Sequence, residues 1–311
     1  MATKTLRIAT RESRLALAQT QMVAAALRAR HPGLVVETVG MTTKGDRVLD
    51  RPLAQVGGKG LFVKELEVAL EEDRADIAVH SLKDVPMELP AQFALMTFGP
   101  REDPRDAFVS GTAESLDALA DGALVGTSSL RRECQLRHRY PKLRFRALRG
   151  NVNTRLAKLE AGEYDAIILA AAGLRRLGLE ARIRALLPVE LSLPAIGQGI
   201  LGIEYVHTRA DLAAMLAASE DRATSFAARA ERALGLVVEG SCEVPVGGIA
   251  RVDGDTLALE GFIGMPDGSR MVRDRVQGRA DEAERLGRAL GERLLALGGR
   301  QILDTLERRS A

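Results

Sequence analysis

The chain is 311 residues long, more than one typical core holds, which points to two or three domains. Apolar residues make up 46% and charged residues 28%, with a formal net charge of only +2, so no whole-molecule field marks it for nucleic acid or a membrane. Two cysteines, Cys134 and Cys242, do not make a disulfide framework and fit a reducing compartment. The N-terminus lacks the apolar run of a signal peptide. The longest apolar run, Ala166 to Leu174, falls far short of the roughly 20 residues that span a bilayer. A soluble cytoplasmic protein is expected, with no metal site.

Leu6 to Thr10 reads as a short strand, and Ser13 as the N-cap of a helix running to about Arg30 before His31-Pro32-Gly33. Leu15, Ala18, Met22 and Leu27 form the apolar face expected of that helix. Leu34 to Met41 is Val-rich and alternating, so strand, helix and strand open a βαβ unit. Thr42 to Gly60 keeps no apolar period, as in a lid or binding loop. Lys59, between glycines, suits either close approach to an anion or a solvated surface. Leu61 to Glu72 reads as a helix with Phe62, Leu66, Ala69 and Leu70 inward. Asp76 to His80 is a buried strand that runs into Ser81-Leu82-Lys83-Asp84. In open α/β sheets ligands gather at the carboxyl ends of strands, which gives a Lys83-Asp84 pair there more weight than on a helix surface.

Gly99 to Asp106, charged and marked by prolines, reads as a linker. A second α/β block follows, with strands at Leu124–Thr127, Leu143–Leu148 and Asp165–Leu169 and helices starting at Ser128-Ser129, Asn153 and Ala171. Pro188 to Pro194 resembles a return crossing, and Ile200–Tyr205 is assigned to the first block. Gly197-Gln-Gly199-Ile-Leu-Gly202 matches Gly-x-Gly-x-x-Gly, but a proline precedes it and a strand follows, so it is not a dinucleotide motif. From Ala218 a helix, three antiparallel strands and a last helix from about Arg279 to Leu297 are expected. The predicted fold is α/β: two lobes, like a periplasmic binding protein, plus a small α+β C-terminal domain with a three-stranded antiparallel sheet. The expected domains are 1–99 with 200–217, 100–199, and 218–311.

Between Gly126 and Arg155 stand Arg131, Arg132, Arg137, Arg139, Arg144, Arg146, Arg149, Arg155 and Lys142 against one acid, Glu133, a local charge of about +8. Arginine forks pair carboxylates and phosphates through two parallel bonds. Thr127-Ser128-Ser129 and Arg149-Gly150-Asn151 each lie at a strand end and a helix start, and Thr10-Arg11-Glu12-Ser13 repeats the arrangement in the first lobe. Several anion sites on one cleft imply a ligand with several negative groups, whether polyphosphate, nucleic acid or polycarboxylate. The near absence of aromatics removes nucleic acid. Cys242 lies in Glu239-Gly-Ser-Cys-Glu-Val-Pro-Val-Gly-Gly248, a loop by its glycines and prolines. Taken by itself, a lone cysteine is usually a small apolar residue without chemistry.

Together these segments closely resemble the porphobilinogen deaminase (hydroxymethylbilane synthase) family over nearly the whole chain. The matching segments are Ala9–Ser13, Gly57–Phe62, Asp76–Pro86, Arg101–Asp106, Gly126–Arg132, Arg149–Arg155, Ala195–Gly199 and the Cys242 loop. The resemblance implies a three-domain transferase of tetrapyrrole synthesis. It would join four porphobilinogen molecules head to tail on a dipyrromethane primer, release ammonia, and free hydroxymethylbilane with water. It places the primer's thioether on Cys242 and the catalytic carboxylate at Asp84. It assigns cofactor binding to Lys83, Asp84, Ser129, Arg131 and Arg132. Substrate binding falls to Arg11, Ser13, Lys59, Phe62, Arg149, Arg155 and Arg176. It also favours a monomer, with no nucleic-acid or membrane partner. Ser241, Glu243, Glu12 and Gln55 depart from the family pattern, and Glu243 would disfavour the thiolate slightly by like charge.

Overall fold

The computed structural model describes residues 5–47, 60–238 and 244–310. In chain order the first block holds β1 (Thr5–Arg11), α1 (Arg14–Arg30), β2 (Val35–Met41), α2 (Lys44–Arg47), α3 (Lys64–Glu71), β3 (Ile77–Ser81) and β4 (Phe93–Phe98). The second holds β5 (Asp106–Ser110), β6 (Leu124–Gly126), α4 (Leu130–Arg139), β7 (Arg144–Arg146), α5 (Val152–Glu160), β8 (Ala166–Ala170), α6 (Ala171–Arg176) and β9 (Ala185–Leu186). Then follow β10 (Leu201–Val206), α7 (Ala210–Ala217), α8 (Arg222–Val237), β11 (Val246–Asp253), β12 (Thr256–Gly264), β13 (Met271–Arg279), α9 (Ala283–Leu294) and α10 (Arg300–Ser310).

The first sheet has the order β2-β1-β3-β10-β4. β1 is parallel to β2 and β3, while β10 runs antiparallel between β3 and β4. As expected, the chain leaves the first lobe, builds the second and returns. The second sheet, β7-β6-β8-β5-β9, has the same mixed form, with β5 antiparallel to β8. The central strands of both sheets, β1, β3 and β10 in the first and β5, β6 and β8 in the second, are mostly buried on both faces, and helices cover them. Leu6, Ile8, Ile77 and Ile203 pack with Val23, Leu27 and Leu212 in the first lobe, and Phe108, Val125 and Ile168 with Leu136 in the second. The third sheet, β11-β12-β13, is antiparallel and packs on α8 and α9. These helices come so close that a Cβ on Gly287 would lie 2.2 Å from the Ala230 carbonyl oxygen.

The Ser13 Oγ accepts the Ala16 N–H at 3.3 Å, so the predicted cap of α1 is present. The predicted face is turned by about one residue. Ala16, Gln19, Thr20, Val23, Ala24 and Leu27 are buried, whereas Met22 is 49% exposed. Small residues let α1 lie close to the sheet, and Leu15 instead reaches toward Gly173 of α6 in the other lobe. The supposed linker also differs. Asp106 opens β5 and is wholly buried, and β4, α7 and α10 were not foreseen.

Glu231 on α8 ties the parts together. It is fully buried, pairs with Arg101 on the first crossing, and accepts Gly197 N and Ala250 N at 2.7 Å each. One carboxylate thus holds both crossings and β11.

Candidate active site

A cavity of about 520 Å³ opens between the lobes, where the carboxyl ends of the strands meet. Strand ends and the helices that follow them deliver the candidate side chains. Arg11 closes β1, and Lys83 and Asp84 lie on a single turn of 3₁₀ helix, Leu82–Asp84, directly after β3. Arg132 stands in the first turn of α4, Arg155 on α5 and Arg176 at the end of α6. These residues line the cavity together with Ser13, Phe62 and Arg149. Lys59 and Cys242 lie outside the described residues, as do Gln55, Ser241 and Glu243.

The wall is strongly positive. Among the described residues, Arg11, Arg14, Lys83, Arg132, Arg149, Arg155 and Arg176 face only Glu12, Asp46 and Asp84. Two of these acids are engaged. Glu12 accepts from Thr42 Oγ1, and Asp46 holds Arg11, with Nε at 3.0 Å. Asp84 meets Arg11 only at 3.9 Å, and its side chain is 34% exposed. The Arg11 guanidinium also lies 4.2 Å over the Phe62 ring.

Crowded cations bind their protons less tightly. Burial, then Arg132, push the Lys83 ammonium down to about 8, against the pull of Asp84 and Asp106. Burial, with Arg132 and Arg149, lowers Arg155 to about 10, and burial lowers Arg176 to about 10 against Glu102. Arg11 moves the other way: burial opposes its charge, but Asp46 and Asp84 outweigh that. A ligand rich in carboxylates would relieve this stress.

Two expected binders have other partners. Arg131 meets Asp106 through Nη1 at 2.9 Å and Nη2 at 3.1 Å, and gives Nη1 to the Leu193 carbonyl at 2.6 Å. Ser129 caps α4, with its Oγ 3.4 Å from Arg132 N, and the Ser128 hydroxyl donates to the Leu148 carbonyl at 2.7 Å. Neither Arg131 nor Ser129 lines the cavity. Arg132 does both: Nε lies 2.9 Å from Asp106, and its side chain borders the cleft. Asp106 stays ionised although burial opposes it, because Arg131 and Arg132 hold it far below the usual carboxylate range. Asp106, Asp46 and Gln198 join the site although the sequence pattern does not mark them, since the Asp106 and Gln198 partners lie far off in sequence. His80 is structural, its Nε2 2.9 Å from Glu204 Oε2. Among the described residues no His, Cys, Asp and Glu group could hold a metal.

Fold and cleft define a two-lobed α/β protein whose interlobe site suits a ligand with several negative groups. Residues 6–214 match the family model "Porphobilinogen deaminase, dipyromethane cofactor binding domain", and residues 225–296 match "Porphobilinogen deaminase, C-terminal domain". A curated porphobilinogen deaminase from Burkholderia thailandensis is 60% identical over 310 residues, covering 99% of this chain and 94% of that relative. The chain belongs to the porphobilinogen deaminase family, transferases with a dipyrromethane cofactor that assemble porphobilinogen into hydroxymethylbilane.

Among solved structures, the VFT2 domain of Bordetella pertussis BvgS shares 18% identity at a TM-score of 0.40, over 68% of this chain and 84% of that one. The periplasmic aliphatic sulphonate binding protein SsuA from Escherichia coli shares 14% at 0.41, over 77% and 72%. The cavity wall fits a dipyrromethane. Every pyrrole of such a group carries an acetate and a propionate, and the wall offers seven basic side chains against three acids.

Proposed function

We propose that Asp84 is the catalytic carboxylate and that Cys242 carries the dipyrromethane through a thioether. The observation that carries this reading is Asp84 itself: of the three acids on the cavity wall, it alone has no close hydrogen-bonded partner among the described residues. A carboxylate at that place accepts and returns the proton of the substrate's aminomethyl nitrogen. It also faces the positive charge left on the pyrrole when the carbon–nitrogen bond breaks and its electron pair departs with ammonia. The dipyrromethane supplies the pyrrole carbon at which chain growth begins.

Lys83 and Arg132 hold the carboxylates of the bound primer. Arg11, Ser13, Lys59, Arg149, Arg155 and Arg176 receive those of the incoming porphobilinogen, and the Phe62 ring backs the Arg11 guanidinium. Ser129 and Arg131 serve the primer indirectly, by capping α4 and by neutralising Asp106. We read three domains with the limits 1–99 with 200–217, 100–199 and 218–311, acting as a cytoplasmic monomer without nucleic-acid or membrane partners. No helix among the described residues is long and apolar enough to cross a membrane.

Intact mass spectrometry with a pyrrole colour test checks the attachment. The expected result is a mass above the bare polypeptide and a positive colour, both lost in Cys242→Ala. A coloured adduct retained by Cys242→Ala would move the anchor elsewhere.

A further inference from the structure

The Gly197-Gln198-Gly199 turn is not a dinucleotide motif, and beyond the Gly197 N–H given to Glu231 it has no part in the site described so far. Gly197 and Gly199 both have left-handed backbones, at φ 72° and 89°. A Cβ on Gly197 would lie 2.9 Å from Leu82 Cγ, and one on Gly199 would lie 2.3 Å from the Glu102 carbonyl oxygen. Glycine is therefore required on both sides of Gln198.

Gln198 is fully buried, and both ends of its amide are used. Nε2 donates to the Pro104 carbonyl at 2.6 Å and to Asp106 Oδ1 at 2.9 Å. Two acceptors around that nitrogen set the orientation of the amide, so Oε1 must face Lys83, whose Nζ lies 3.3 Å away. The Gly199 carbonyl next to it takes Arg176 Nη2 at 2.6 Å.

We propose that Gln198 is a positioning residue for the polycarboxylate cleft, fixing Lys83 of the first lobe against the Asp106–Arg132 pair of the second so that both cations meet one ligand together. The ligand rests on the reading given under Proposed function; the geometry does not. A lysine ammonium is a point charge on a flexible stem, so its place depends on what accepts its protons. Arg132 and Arg131 repel Lys83, while Asp84 and Asp106 attract it. Among the described residues Oε1 is the one hydrogen-bond acceptor its Nζ has. Only a side chain that donates on one side and accepts on the other suits both neighbours. An apolar isostere would leave Lys83 without an acceptor.

The test compares Gln198→Met and Gln198→Glu in the full, cofactor-bearing chain. Three readings are taken: the Lys83 titration followed by the NMR shift of its labelled Cε (assigned through Lys83→Arg), KM and kcat for porphobilinogen, and the melting temperature. Gln198→Met should move the Lys83 midpoint below that of the parent. Because Lys83 holds the bound primer and not the incoming porphobilinogen, the variant should lower kcat about tenfold, with KM changed less than about twofold, as expected for one lost bond to a charged group. Gln198→Glu keeps an oxygen on Lys83 and adds a negative charge, so its midpoint should stay at or above the parent's, but its second oxygen meets the Asp106 carboxylate and the Pro104 carbonyl, so its melting temperature should fall. A Gln198→Met protein that only melts lower, with the Lys83 midpoint and kcat unmoved, overturns the proposal. If Gln198→Met fails to fold, a Lys83 midpoint in Gln198→Glu below the parent's overturns it equally. Absence of turnover in the parent chain would sink the functional reading alone, because the Lys83 titration needs no substrate.

Discussion

The Arg11 guanidinium is held by Asp46, through Nε at 3.0 Å and through Nη2, while Asp84 stands farther off at 3.9 Å. Asp46 is itself braced by the Thr43 hydroxyl at 2.7 Å. An internal carboxylate thus already sits on the arginine that a substrate carboxylate would use. Freed of it, the fork should bind anions better. Asp46→Asn is expected to tighten inhibition by a simple dicarboxylate such as succinate about fivefold, the effect of roughly 1 kcal/mol for a partly exposed pair. Competitive inhibition constants measure this, and weaker inhibition would show that Asp46 supports the site instead of competing for it.

Asp84→Asn keeps the shape of the side chain but removes its charge and its ability to take a proton. We expect a normal melting temperature and an unchanged cofactor mass, with ammonia release slowed at least about a hundredfold. Near-normal release by this variant would mean that another carboxylate does the work.

Lys83 gives a pH signature. Its proton is held at about 8 in the folded chain, against 10.5 for a free lysine, because of burial and Arg132. Between these values the unfolded chain binds more protons, so stability rises with pH across that window. Below about 8 both states are charged and the full cost of the folded-state charge remains. Lys83→Met should therefore melt higher than the parent at pH 7, with the gap closing as pH rises from 8 to 10.5. A gap that stays constant across this window would show that the ammonium is not under stress.

Glu231 is the buried carboxylate shared by Arg101, Gly197 N and Ala250 N. Glu231→Gln leaves the Arg101 charge without its counter-ion, and a cost of about 3–5 kcal/mol is expected in urea unfolding. A loss below about 1 kcal/mol would show that the junction reorganises around Arg101.

Much of this architecture could be read from local patterns. The Ser13 cap and the end of β3 at the Lys83-Asp84 turn follow from spacing and breakers, and the return of β10 to the first sheet from the likeness of two blocks and two crossings to two-lobed binding proteins. What escaped were groups whose partners are distant in sequence. Asp106 looked like one more linker charge until Arg131 and Arg132 folded onto it. Those arginines looked available for a ligand for the same reason, and only Arg132 still borders the cleft. Met22 fitted a helical stripe, but α1 uses small residues for its approach and turns Met22 to solvent. Periodicity gives the pitch of a helix; it does not say which rows a neighbour will accept.

The position of β10 bears on how the chain comes off the ribosome. Its residues 201–206 fill the slot between β3 and β4, and Ile200 O accepts the Leu82 N–H at 2.9 Å, at the start of the turn that carries Asp84. Until residue 206 has emerged, the nascent first lobe shows two unpaired strand edges, a risk for mispairing. The Lys83-Asp84 turn is therefore not braced until about two-thirds of the chain has been made, and no chain cut short before the second crossing can hold it in place.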